Sequence, residues 1–305
     1  MKYTNTNGYP PHIVALLTGK TQWAKQKLDR LRVTQTDKPI QALGLMYQRL
    51  ANGGEIAQED VVDLYKRRLG TIIHEAAELS MVDYSVMREI ADVEPFELNK
   101  ELSNKGLFLE VPISKKVGKL KISGRADVIW DGCVRDIKTT SMFSFGKDYS
   151  KHIWQLSVYR ALIPEIITKP YGYIDFVFTD YHKKEDLKPI ESVKVDLFPV
   201  NEVRKILRNK VAAIMKLQED NYKNLADYAC SEEDIYFKPP QYKVWKKEGG
   251  KRALKSTPTK QEAIDFIQEK SKPEMYEIRK ETSTPCTFCD EKINCKQYAM
   301  LPKES

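Results

Sequence analysis

Apolar and polar positions divide the chain into blocks of different period. The opening segment reads as loop through Tyr9-Pro10-Pro11, followed by short helices to about Arg32. A polar stretch from Thr34 to Pro39 then leads into a longer helical region. Between Gln58 and Ser80, apolar residues at Val61, Val62, Leu64, Tyr65, Leu69, Ile72, Ile73, Ala76 and Leu79 recur close to a 3.6-residue period, which predicts helix. From Leu107 the character becomes that of strands. Leu107–Ile113 and Leu120–Trp130 are separated by a Lys- and Gly-bearing turn. Asp131-Gly132 is a two-residue hairpin signal, with Cys133–Lys138 as the returning strand. A helix from about Lys151 to Leu162, an aromatic and β-branched strand at Tyr171–Phe178 and a helix at about Asn201–Gln218 follow. This order predicts an α/β fold built on a mixed sheet flanked by helices.

The C-terminal quarter has its own pattern. Tyr242–Lys247 and Arg252–Lys255 read as a hairpin around Gly249-Gly250, Gln261–Glu269 as a helix and Met275–Lys280 as a strand. A ββαβ unit of about 45 residues is small to be stable alone. The expected organisation is an N-terminal helical segment over 1–57, a core over 58–229, and the small unit with its flanking cysteines over 230–305.

Composition excludes several classes. With 41% hydrophobic and 30% charged residues the chain is neither largely disordered nor fibrous. No run approaches the roughly 18 apolar residues of a membrane span, and Met1–Tyr9 lacks an apolar signal core, so a cytoplasmic protein is expected. The net charge is +7, and residues 236–280 hold 12 basic against 6 acidic side chains, so most of the excess is local. Such a field suits a polyanion, although a solvated lysine-rich face has the same composition. Five cysteines, an odd count without an export signal, argue for a reducing compartment over a disulfide scaffold.

Chemistry enters at the hairpin. A two-residue loop pairs Trp130 with Cys133, which sets Asp127 opposite Asp136. Opposed carboxylates with Cβ atoms about 5 Å apart repel, and a bound divalent cation is the simplest compensation. Lys138 shares the face of Asp136, because strand side chains repeat with period 2. Carboxylates suit hard Mg²⁺ or Mn²⁺. The alternative is an exposed hairpin face whose charges are merely solvated.

Four segments in order extend this pattern: Gly70-Thr-Ile-Ile-His74, Gly124-Arg-Ala-Asp127, Asp136-Ile137-Lys138 and Gln155-Leu-Ser-Val-Tyr159. They resemble the G-x-x-x-H, G-x-x-D, D-x-K and Q-x-x-x-Y motifs of the PD-(D/E)XK nucleases, RecB-type branch. The N-terminal Pro-Pro segment and the basic unit before a C-terminal cysteine cluster are similar to phage-type members. The resemblance implies a restriction-endonuclease-like core in which His74, Asp127, Asp136 and the Ile137 carbonyl hold Mg²⁺ or Mn²⁺. It further implies that Lys138 orients the attacking water and offsets charge on the phosphate. Glu110 would add an outer-shell or second-metal contact, Gln155 and Tyr159 would touch the DNA strand or buttress the site, and Glu75 and Glu78 would support His74.

Cys286-x₂-Cys289-x₅-Cys295 supplies three thiolates at metal-ligand spacing, with Cys230 the candidate fourth ligand; soft sulfur suits Zn²⁺ or an iron–sulfur cluster. The run resembles the iron–sulfur staple of some RecB-type nucleases. Those take their remaining cysteine from upstream of the nuclease motifs, whereas none precedes Cys133 here. In the basic unit Lys246, Lys247, Lys251 and Arg252, interleaved with Tyr242 and Trp245, suit phosphate contact and base stacking. The expectation is thus a Mg/Mn-dependent deoxyribonuclease, an exonuclease of recombination, repair or phage DNA processing, with DNA and a helicase or annealing protein as partners. A non-catalytic DNA-binding module on the same fold and a restriction-type endonuclease are the alternatives.

Overall fold

The structure is a computed structural model that describes residues 4–10, 14, 27–53, 60, 64–65, 68–73, 106–181, 188–235, 241–249, 252–281, 286 and 289–301. The chain divides into two compact units, one of Met1–Lys38, Leu50–Gly54 and Gln58–Asn221, the other of Pro39–Arg49, Glu55–Ala57 and Tyr222–Ser305. Among the described residues no helix is long and apolar enough to cross a membrane.

The first unit is built on a six-stranded mixed sheet. Its strands are β1 (Arg30–Arg32), β2 (Leu107–Val117), β3 (Leu120–Trp130), β4 (Cys133–Thr140), β5 (Tyr171–Phe178) and β6 (Ile190–Asp196). β2, β3 and β4 form the expected antiparallel meander, β5 joins β4 in parallel and β6 closes the edge antiparallel to β5. The tight turn follows from its two residues: Asp131 and Gly132 both have positive φ, 47° and 72°, as a hairpin with matched strand twist requires. β1 corrects the expectation of helix up to Arg32. Leu31 is fully buried between two arginines, and the strand pairs in parallel with Lys121–Ser123 of β3, a non-local partner that three residues of pattern do not announce. β6 is not expected either; its exposed positions alternate with half-buried ones and one buried one, Val195, so the edge strand carries little apolar signal.

One edge of β3 is paired with β2 from Leu120 to Trp130 except at Asp127, whereas its other edge is shared. β1 occupies it at residues 121–123 and β4 at 128–130, which leaves Gly124–Asp127 without a ladder partner on that side. α2 (Ser150–Leu162) packs on β4 and β5, and α3 (Val200–Glu219) packs against α2. α3 buries Val203, Leu207, Val211, Ile214 and Leu217, a stripe at three- and four-residue spacing. Of the helix expected over 58–80, residues 64–65 and 68–73 are helical, Asp60 instead forms an isolated parallel bridge with Thr4, and the rest lies outside the described residues.

In the second unit, α1 (Ile40–Asn52, its last three residues counted with the first unit) precedes a three-stranded antiparallel sheet of order β8-β7-β9. The elements are β7 (Gln241–Lys246), β8 (Lys255–Thr257), α4 (Lys260–Gln268), β9 (Tyr276–Glu281) and the short α5 (Lys296–Met300). β8 starts three residues later than the pattern suggests, since Thr257 rather than Leu254 turns inward: Thr257 is buried and Leu254 is exposed. The Thr259 hydroxyl caps α4 by accepting from the Glu262 amide.

Gly124 explains how α2 reaches the unpaired edge of β3. A Cβ built there would lie 2.8 Å from Val33 Cγ2 and 2.9 Å from Tyr159 Cε1. Gly124→Ala should therefore cost about 1–3 kcal/mol through overpacking. Urea unfolding checks this, and a loss smaller than about 0.5 kcal/mol, the range of ordinary surface substitutions, would contradict the packing described.

Candidate functional site

The unpaired edge of β3 is where the singled-out carboxylates gather. Pairing of β3 with β4 runs Trp130↔Cys133, Ile129↔Val134 and Val128↔Arg135, then stops one step short of Asp127 and Asp136. The Asp127 side chain takes over the next contact, its Oδ2 accepting the Ile137 amide at 2.9 Å. Beyond it the Tyr159 hydroxyl donates to the Arg125 carbonyl at 2.6 Å. Side chains thus satisfy backbone groups that a continued ladder would have paired, and the strands part between the two acids.

Asp136 is 2% exposed and held from two sides. The Lys138 ammonium lies 2.9 Å from Oδ1 and 2.8 Å from Oδ2, and Gln155 Nε2 donates to Oδ1 at 3.2 Å. Gln155 also meets the Tyr159 hydroxyl at 3.3 Å. Oδ2 has its ion pair but no directed hydrogen bond, an unsatisfied acceptor in the interior. Tyr159 is buried and, like Gln155, is engaged with the scaffold of the site.

Electrostatics follow from the enclosure. Burial, followed by the negative charge of Asp136, pushes the Asp127 carboxyl up to about 7, although Lys138 and the Ile137 amide pull it the other way. Burial works against the Lys138 ammonium, yet Asp136 and Asp127 outweigh it and hold Lys138 above the ordinary lysine value. Tyr159 is raised mainly by burial. Two neighbouring acids that cannot both ionise cheaply are a donor pair that a divalent cation would relieve.

Glu110 lies across β3 from Asp127, between the pairs Leu109↔Val128 and Val111↔Ala126, but makes no ladder pair itself. Its φ of 48° is left-handed, which costs an L-residue about 1–2 kcal/mol, and its carboxylate accepts from Arg125 Nη1 at 3.1 Å. Its charge adds to the upward push on Asp127. His152 is a residue the sequence reading passed over. It lies one helical turn before Gln155, and its pKa is lowered by burial and then by Lys138, so it stands in the field of the site. Its spacing of three from Gln155 was the available signal. His74, Glu75 and Glu78 lie outside the described residues.

The four C-terminal thiols are close enough to influence one another. Cys230 is pushed up to about 12 by burial, then by Asp234, Cys295, Cys289 and Cys286. Cys286 is raised by burial, Cys289 and Cys295. Backbone anchors fix them: the Cys230 amide donates to Gln41 and Gln297, each at 3.0 Å, and the Cys286 amide to the Ile235 carbonyl at 2.9 Å. Even so, among the described residues no three His, Cys, Asp or Glu side chains converge tightly enough to grip an ion. Cys133, in the first unit, packs beside the Tyr171 carbonyl. In the small sheet Lys246 ends β7, Lys247 and Arg252 lie in the following loop, and Lys251 lies outside the described residues. The Arg279 guanidinium stacks 4.9 Å from the Trp245 ring centre.

No protein-family model matches the chain, and no curated protein matches it. Solved structures do. SSO0001 is 17% identical over 66% of this chain and 84% of its own, with a TM-score of 0.41. LHK-Exo, solved with dAMP, is 15% identical over 66% and 96%, with a TM-score of 0.37. A phage-related exonuclease from Haemophilus somnus 129PT is 14% identical over 65% and 95%, with a TM-score of 0.30.

The raised Asp127 pKa has a consequence for stability. Its folded value, about 7, exceeds the ordinary 3.8, so proton binding favours the fold. This contribution is complete below the ordinary value and disappears as pH rises toward 7. In EDTA, Asp127→Asn should therefore raise Tm by a few degrees at pH 8 and by much less at pH 4. Calorimetry at the two pH values checks this; a lower Tm for the variant at pH 8 would contradict it.

Proposed function

We propose that the chain is a metal-dependent DNA nuclease of the PD-(D/E)XK kind, acting as an exonuclease on DNA ends. The observation that carries this reading is the paired arrangement at the parted strands. Buried Asp136 is ion-paired with Lys138, and Asp127 stands on the neighbouring strand with its proton held up to about 7. Structural ion pairs are normally satisfied; here Oδ2 of Asp136 lacks a directed hydrogen bond. The donor set is carboxylate oxygen, which fits Mg²⁺ or Mn²⁺.

In this reading Asp127, Asp136, the Ile137 carbonyl and His74 hold the cation, which when bound supplies charge stabilisation and a water of lowered pKa. Lys138 positions the attacking water and offsets negative charge that grows on the phosphate oxygens. Gln155 keeps Asp136 oriented through Oδ1, and Tyr159 keeps β3 parted from β4 through the Arg125 carbonyl. Glu110 tunes the pair from the far side of β3. Lys246, Lys247, Lys251 and Arg252 bind the phosphate backbone of DNA. Cys230, Cys286, Cys289 and Cys295 hold zinc or a [4Fe–4S] cluster that ties the two ends of the basic unit together. Supporting that part, the Cys230 and Cys286 thiols are pushed up by burial first and by neighbouring cysteines after it, a push that a shared cation would reverse.

End-labelled linear DNA and closed circular DNA, incubated with the purified chain and Mg²⁺ or Mn²⁺, test the reading. Linear DNA should be degraded and circular DNA spared, with Lys138→Ala slower by at least about 10²-fold, the scale for losing one such electrostatic stabiliser. Uncut linear DNA with either ion overturns it. For the cysteines, anaerobically purified protein should contain either stoichiometric zinc or iron with absorbance near about 400 nm; neither metal in elemental analysis would refute that site.

A further inference from the structure

The loop from Ser141 to Tyr149 joins β4, two residues past Lys138, to α2, which carries Gln155. Both of its ends therefore belong to the candidate site, and its own residues have been given no role. It is firmly held. Asp180 Oδ1 accepts the Met142 amide at 2.8 Å, and the Ser141 and Ser144 hydroxyls meet at 3.1 Å. Phe145 packs edge-on against Phe176 and Phe178, with ring centres 5.4 and 5.3 Å away. The Gly146 amide donates to the Tyr149 hydroxyl at 2.8 Å, and the Tyr149 ring lies 5.1 Å from Phe176.

Two residues before the inward Phe145, Phe143 points out. It is 82% exposed, and the Lys147 ammonium sits over one face of its ring, 3.8 Å from the centre. Leaving a phenylalanine outside forgoes about 1.5–3 kcal/mol of burial. Single exposed apolar residues are common and mean little alone. Here the ring is presented by an anchored loop, paired with a cation, between two site elements. At five residues from Lys138 its Cα is within about 18 Å of that residue, or roughly five bases at 3.4 Å per nucleotide.

We propose that Phe143 and Lys147 form a stacking platform for an unpaired base of the DNA strand that enters the site, a specificity element resting on the nuclease reading above. The free face of the ring takes the base, and the ammonium takes the adjoining phosphate, the combination that single-strand binders use. Inside a duplex both faces of every base are covered, and at a blunt end the one open face belongs to a base held in its pair, so a platform for a base released from pairing selects frayed ends and single-stranded tails over blunt ends.

The test uses the full chain in EDTA, where cleavage is suppressed. Its probes are a blunt duplex and the same duplex with a single-stranded tail carrying 2-aminopurine next to the junction. Wild type should bind the tailed DNA more tightly and quench the 2-aminopurine. Phe143→Ala should lose about tenfold in affinity for tailed DNA, the loss of one stacked base, and the quench with it, a larger loss than on the blunt duplex, so that the preference for the tail shrinks. Phe143→Trp should retain both. If Phe143→Ala equals wild type on tailed DNA while wild type still digests DNA with Mn²⁺, the platform is wrong and the nuclease reading stands; Phe143 would then be free to serve as a protein contact. If wild type neither binds nor cuts DNA, both fall.

Discussion

The site depends on where one pairing ladder stops. β3 and β4 hold together for three pairs beyond their turn and then separate, because the next position on each strand is an aspartate. Continued pairing would press two carboxylates together in a buried setting, a cost that rises as the local dielectric falls. Separation leaves backbone groups to be satisfied, and the Asp127 carboxylate and the Tyr159 hydroxyl do this at 2.9 and 2.6 Å. Lys138 then neutralises Asp136. Each of these residues answers a problem created by the parted strands, and together they leave a pair of carboxyl groups beside an ammonium.

That constraint explains the glycine at 124. α2 can bring Tyr159 to the Arg125 carbonyl only if the strand beneath carries no side chain at that point. A small residue on β3, an i,i+4 polar pair on α2 and two acids on neighbouring strands are therefore parts of one packing arrangement. Glu110 belongs to it as well, since its left-handed φ and missing ladder pair fall opposite Asp127. Strain next to a buried acid is an arrangement that surrounding structure has to maintain.

Much of this was legible because hairpin register is local. Asp131-Gly132 fixes the turn, and the register fixes which residues face one another. The departure of the strands at Asp127 was not legible, since it depends on Tyr159 and Gly124 from elsewhere in the chain. β1 escaped notice because a three-residue parallel strand is defined by its partner, and β6 because its apolar signal is short, Val193 and Val195 alternating with polar residues while Ile190 is exposed. His152 carried only a helical spacing, and its relation to Lys138 emerges once α2 lies on β4. The cysteine spacing was plain in the sequence, but spacing alone does not fix where the sulfurs point.

The central claim is that Asp127 and Asp136 share a divalent cation next to Lys138. A crystal soaked in Mn²⁺, with anomalous diffraction to locate the ion, tests it most directly. The account predicts a peak at oxygen-ligand distance, about 2.0–2.6 Å, from carboxylate oxygens of both aspartates. Strong manganese peaks elsewhere on the protein, with none between these two side chains, would contradict it.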